Sequence, residues 1–207
     1  MTDRRDTDTM RARWDERYRT QGYVWGLEPN VFVAELTEDL PPGRALDLGC
    51  GQGRNAIWLA RRGHEVTGID LSPVAIDQAR RLAADAGVEV TFEAADLTTW
   101  DPGDRTWDLI VLSYLQLPAD ARRTVHQTAV KALAPGGRIV VVAHHLDNLE
   151  RGIGGPPDPA VLCTEDDVVA DLVGLEIERA EPVRRHVAKG DVAGDAIDLV
   201  VVARKPN

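Results

Sequence analysis

The residues with the clearest chemical potential gather at Asp47-Leu48-Gly49-Cys50-Gly51-Gln52-Gly53-Arg54-Asn55. Glycines at alternate positions let a backbone turn tightly and approach a ligand with no Cβ in the way. A helix starting near Gly53 aims unpaired N–H groups at the same spot, which favours a negatively charged group there. A dinucleotide loop written G-x-G-x-x-G from Gly49 requires glycine at position 54, where Arg54 stands. Here the third glycine comes one residue early, and an acid, Asp47, opens the motif. Two more acids follow at apparent strand ends: Asp70 in Gly68-Ile69-Asp70-Leu71-Ser72, and Asp96 in Ala95-Asp96-Leu97.

Elements of regular structure must bring these groups together. Short apolar runs over 45–48, 65–69, 88–92, 108–112, 138–143, 174–179 and 196–203 read as strands. Amphipathic segments between most of them read as helices, with Ser72 and Pro73 as a hydroxyl cap followed by proline at the first helical position. Thr164 and Asp167 make a weaker start of the same kind. The alternation predicts a single doubly wound α/β domain, a mostly parallel sheet of about seven strands with helices on both faces. Ligands of such sheets bind beyond the carboxyl ends of the strands, where strand order reverses. Residues 1–10 are polar and are expected to be a disordered tail, 11–40 an N-terminal helical lid, and 41–207 the core.

The chain has 207 residues and a net charge of −10, which sets a phosphate backbone against net repulsion and argues against a nucleic-acid substrate. Cys50 and Cys163 build neither a disulfide framework nor a zinc motif, and the adjacent His144 and His145 lack a ligand set, so no metal is expected. No apolar stretch has the length to cross a bilayer. These features imply a cytoplasmic protein without a membrane partner, and they leave monomer and homodimer both open. Half of the ten aromatic residues, Trp14, Tyr18, Tyr23, Trp25 and Phe32, fall within the first 32 positions. Such a segment either covers a sheet edge or lies as a lid across the site.

The acid followed by G-x-G-x-G resembles the first motif of the class I S-adenosylmethionine-dependent methyltransferases. Asp70 and its neighbours resemble their second motif, Ala95-Asp96-Leu97 the third, Trp107 to Ser113 the fourth, and Leu133 to Gly137 the turn before strand five. Gly51-x-Gly53-Arg54-Asn55 and the closing Val202-Ala203-Arg204-Lys205 are most similar to the tellurite-resistance type. The resemblance implies a Rossmann-like methyltransferase fold, S-adenosylmethionine as cofactor, and transfer of a methyl group to a small-molecule acceptor through oxygen, sulfur or a chalcogen. The Asn-Pro-Pro-aromatic motif used on nucleic-acid and glutamine nitrogens is replaced by Ser113-Tyr114-Leu115-Gln116-Leu117.

By the same resemblance, the cofactor-binding set is Asp47, Gly49, Gly51, Gly53, Arg54, Asn55, Asp70, Leu71, Ala95, Asp96, Leu97 and Ser113, with Tyr18 and Trp25 from the lid. Asp70 is expected to accept both ribose hydroxyls, Asp96 the adenine amino group, and the backbones of Gly49, Gly51 and Ser113 the methionine end. Arg54 either pairs with the methionine carboxylate or is a solvated helix residue. His186 and Arg184, near the end of strand six, are the catalytic candidates. Two alternatives remain open, a nicotinamide-dependent oxidoreductase and a non-catalytic scaffold that binds S-adenosylmethionine.

Overall fold

The computed structural model describes residues 4–24, 26–189 and 192–207. Helices α1 (Arg4–Thr20) and α2 (Val31–Thr37) precede the sheet. Strand and helix then alternate through β1 (Arg44–Leu48), α3 (Arg54–Arg61), β2 (Glu65–Asp70), α4 (Pro73–Asp85), β3 (Val90–Ala94), β4 (Trp107–Ser113), α5 (Ala119–Ala132) and β5 (Leu133–His144). Short α6 (Asn148–Arg151) and α7 (Glu165–Asp171) lead to the closing hairpin of β6 (Glu176–Lys189) and β7 (Val192–Arg204). The seven strands lie in the order β3-β2-β1-β4-β5-β7-β6. The first five are parallel, and β7 runs antiparallel to both β5 and β6.

Strand period explains the two-sided core. Ile110 and Leu112 of β4 face one layer with Leu46, Leu48, Ile139 and Val141. Leu109 and Val111, one residue out of phase, face the other with Ala45, Val140 and Val142. Successive side chains of a strand alternate between faces, so a strand covered on both sides is apolar at nearly every position. The helix starts follow their sequence signals. Ser72 Oγ accepts from the Ala75 amide with Pro73 in the first turn, and Thr164 and Asp167 form a reciprocal capping box.

Two expectations need correction. The supposed disordered tail over 1–10 is helical from Arg4 onward, and only residues 1–3 lie outside the described part. Its polar composition reflects a helix with one solvated face, and its inner stripe packs against the body of the protein. Strand β6 does not stop at 179 but continues to Lys189, paired with β7 throughout apart from one register shift. An edge strand tolerates charge on its open face, which hides it from a search for apolar runs.

Parallel strands β1 and β4 are neighbours, and the chain leaves β1 toward β2 on the opposite side. A crevice therefore opens outside their carboxyl ends.

Candidate functional site

A cavity of about 820 Å³ fills this crevice. Its roof is α1, whose Thr7, Met10, Trp14 and Tyr18 all line it. Spacings of three and four keep these side chains on one helix face. The roof is stitched to the glycine loop. Gln52 Nε2 donates to the Gly22 carbonyl at 2.8 Å, and the Val24 amide donates to Gln52 Oε1 at 3.0 Å. Gln78 Nε2 donates to the Tyr18 carbonyl at 3.0 Å, and Ser72 Oγ bonds the buried Asp15. Gly51 has φ of +54°, and a Cβ there would come within 2.9 Å of the Tyr18 hydroxyl. Glycine is thus required both by the backbone and by the roof.

Of the residues singled out in the sequence, Tyr18, Gly49, Gly51, Arg54, Asp70, Leu71, Asp96, Leu97 and Ser113 line the cavity together. Four others do not reach it. Asp47 is buried behind the loop. Gly53 sits at the start of α3, where a Cβ would meet Phe92 at 2.9 Å. Asn55 Oδ1 accepts the Asn30 amide at 2.9 Å, which ties the segment before α2 to α3. Ala95 packs against the core and donates its amide to the Asp70 carbonyl. Trp25 lies outside the described residues. Sequence reasoning missed Thr7, Met10 and the stretch from Leu115 to Thr124; the i, i+4, i+8 stripe from Met10 to Tyr18 was the available signal.

The acids are in unlike states. Asp70 Oδ2 accepts the Gly51 amide at 2.8 Å, and Oδ1 accepts the Ser72 amide at 2.9 Å. Burial raises its pKa, while those amides pull it back. Asp96 accepts from Thr98 at 2.7 Å and from Thr7 Oγ1 at 3.2 Å. Asp47 is pushed up to about 7 by burial, with the nearby Arg54 charge opposing. Neither Asp47 oxygen has a well-aligned hydrogen bond, and Ser113 Oγ is equally without one. Burial also lowers the pKa of Arg54, which lies in the fields of Tyr114, Asp47 and Arg185.

A second polar cluster abuts the cavity. Tyr114, at the end of β4, adopts φ of +54°. Its hydroxyl donates to Asp198 Oδ2 at 2.7 Å, and Arg185 Nε donates to the same oxygen at 2.7 Å. His144 Nδ1 lies 2.8 Å from the other oxygen, a close polar contact but not an aligned hydrogen bond. Burial works against the Asp198 charge, yet these partners hold its pKa below the usual value. Tyr114 is pushed well up, by burial first and by Asp198 next, and stays a neutral donor. Arg184 and His186 flank Arg185 but point away. Both side chains are more than two-thirds exposed and face Asp195, at 3.7 and 3.4 Å. Neither lines the cavity, because alternation along β6 turns only Arg185 inward.

Residues 45–137 match the methyltransferase-domain family. The chain is 36% identical over 137 residues to 2-heptyl-1-hydroxyquinolin-4(1H)-one methyltransferase of Mycobacteroides abscessus, covering 64% of this chain and 60% of that one. It is 31% identical over 153 residues to magnesium-protoporphyrin O-methyltransferase of Rhodobacter capsulatus, covering 60% of this chain and 67% of the relative. The chain belongs to the S-adenosylmethionine-dependent methyltransferases. The fold is that of a structure solved for the conversion of a disulfide bond into a thioacetal group during echinomycin biosynthesis, with TM-score 0.78, 24% identity, and 95% and 92% of the two chains covered. A TehB-like methyltransferase from Corynebacterium glutamicum matches at TM-score 0.60 and 25% identity, covering 97% of this chain and 98% of that one.

The cofactor of this methyltransferase family is S-adenosylmethionine, and the cavity fits it on its own evidence. A glycine loop stripped of side chains, a buried hydroxyl at Ser113 and carboxylates at Asp70 and Asp96 converge on one wall. With the family known, nothing supports the nicotinamide alternative.

Proposed function

We propose that this methyltransferase moves the methyl group of S-adenosylmethionine to a small-molecule acceptor bearing an oxygen, sulfur or chalcogen nucleophile. The observation that carries the reading is the convergence of Gly49, Gly51, Asp70, Asp96 and Ser113 on one cavity beyond the reversal of strand order. Asp70 binds the ribose hydroxyls: each of its oxygens accepts one backbone amide and retains a further lone pair. Asp96 takes the adenine amino group in exchange for Thr7, with the Leu97 amide beside it. Gly49, Gly51 and Ser113 hold the methionine end, and Arg54 meets its carboxylate. Asp47 acts from behind the loop, through its charge, on Arg54 and on the bound cation. Gly53, Asn55 and Ala95 serve by fixing the loop and the segment above it.

When bound, the cofactor supplies a methyl group activated on a sulfonium. The protein's part is alignment and exclusion of water, worth several orders of magnitude in rate for a well-oriented pair. The roof of Tyr18 and Trp14 provides the exclusion. Among the described residues no helix is long and apolar enough to cross a membrane. Both cysteines are free and buried, in keeping with a cytoplasmic monomer or homodimer.

Thermal unfolding with and without S-adenosylhomocysteine, together with product release across an acceptor panel, tests the proposal. At a hundred times its dissociation constant, the ligand stabilises by about 2.7 kcal/mol, a rise of roughly 5–10 °C for a domain this size. Stabilisation without turnover on any acceptor would favour the scaffold reading. Stabilisation by NAD alone would overturn both.

A further inference from the structure

Beyond the groups assigned to the cofactor, the cavity wall is of one chemical kind. Met10 and Trp14 come down from α1, and Leu115, Leu117, Pro118 and Ala121 rise from the turn between β4 and α5. Their polar neighbours Gln116, Thr98, Thr99 and Thr124 are neutral. The charged groups are equally informative. Among the described residues of the lining, Arg54 is the single cation, against Asp70, Asp96 and Asp120. The Arg54 charge is already in the field of Asp47, and the next arginine, Arg185, is committed to Asp198 and Tyr114 behind the wall.

A compact oxyanion in such a place would meet repulsion and give up its hydration for no second cation. A flat apolar molecule gains from every contact there, with the Trp14 ring as the largest surface offered. The volume, about 820 Å³, is at the upper end of the range that encloses a single drug-sized ligand, which leaves space beside the cofactor.

We infer that the acceptor is a neutral, largely apolar ring compound carrying a hydroxyl or thiol, seated between Trp14 and the Leu115–Ala121 wall, and not an oxyanion of selenium or tellurium. This rests on the methyl-transfer reading for its consequence but is tested by binding. The full-length protein saturated with S-adenosylhomocysteine is titrated with 4-hydroxyquinoline, 4-propylphenol and thiophenol, and separately with selenite and tellurite. Trp14 is half-buried on a helix surface, so Trp14→Ala and Trp14→Phe are expected to fold; both variants are titrated too.

At least one ring compound binds, with an affinity that falls at least tenfold in Trp14→Ala and recovers in Trp14→Phe, while the oxyanions show no saturable binding. Saturable oxyanion binding without ring-compound binding overturns the inference, and so does the absence of binding by either class. If Trp14→Ala weakens S-adenosylhomocysteine itself and leaves the ring compound unchanged, Trp14 belongs to the cofactor and the assigned seat is wrong. Ring-compound binding with no methyl transfer from S-adenosylmethionine leaves this inference standing and removes the activity instead.

Discussion

Two buried aspartates at the same edge of the sheet, Asp47 on β1 and Asp198 on β7, are solved in opposite ways. Asp198 is fully buried yet keeps its charge, because Tyr114, Arg185 and His144 crowd its two oxygens. Asp47 is as buried, has no well-aligned partner for either oxygen, and is pushed up to about 7. A carboxylate that is fully partnered builds structure; one left with only a distant arginine is poised to respond to a charged ligand. The first fixes Tyr114 in its left-handed conformation at the cavity wall, where backbone strain of this kind is held by its surroundings. The second lies under the loop that receives a cationic cofactor.

Breaking the satisfied site has the larger cost. Asp198→Ala leaves Arg185 and the Tyr114 hydroxyl without their partner, and loss of one member of a buried ion pair costs about 3–5 kcal/mol. Thermal melts should fall by roughly 6–20 °C. An unchanged melting temperature would mean that the cluster contributes nothing to the fold.

Asp47 sharpens the comparison through pH. Its folded value exceeds the unfolded one, so the folded state holds the extra proton, and the group's contribution to stability falls as pH rises from about 4 through 7. The shift from 3.8 to about 7 sets an upper bound of about 4 kcal/mol on this loss. Asp198 has the opposite sign: its lowered pKa gives stability above about pH 4 that disappears in acid. Denaturant titrations from pH 5 to 8 should show a slope in the native protein that Asp47→Asn removes. A cation bound nearby favours the ionised form, so affinity for S-adenosylmethionine should rise across the same interval, and the rise should vanish in Asp47→Asn. Parallel pH profiles for the native protein and the variant would end this account of Asp47.

The smallest effect concerns the roof. Removing residues 1–10 takes away Thr7 and Met10 from the cavity wall. Cofactor affinity should drop several-fold, on the scale of one lost hydrogen bond of about 1 kcal/mol. Melting of the unliganded protein should change by less than about 3 °C. Identical affinity would return this stretch to the status of a tail.

What the sequence made legible follows from which signals are local. The glycine loop, the acid-ended strands and the Ser72-Pro73 cap each depend on residues within a few positions, and all appear where expected. Tyr114, His144, Asp198 and Arg185 come from three strands that pair only after folding, up to 84 positions apart. No spacing announces them. His186 and Arg184 misled for a related reason: strand β6 was read as too short, so alternation could not show that only Arg185 turns inward. The polar face of α1 concealed its inner stripe in the same way. Asn55 looked like part of the loop's chemistry but serves the Asn30 amide, a contact that α2 alone supplies.

The central claim is that Asp70 receives the cofactor in this cavity, and calorimetric titration of S-adenosylhomocysteine into the native protein and Asp70→Ala tests it most directly. Hydrogen bonds to a charged group contribute about 1.5–3 kcal/mol. Single-site binding should therefore weaken by roughly 10- to 150-fold in the variant, with the melting curve of the unliganded protein still cooperative. Equal affinity in the two proteins would contradict the account.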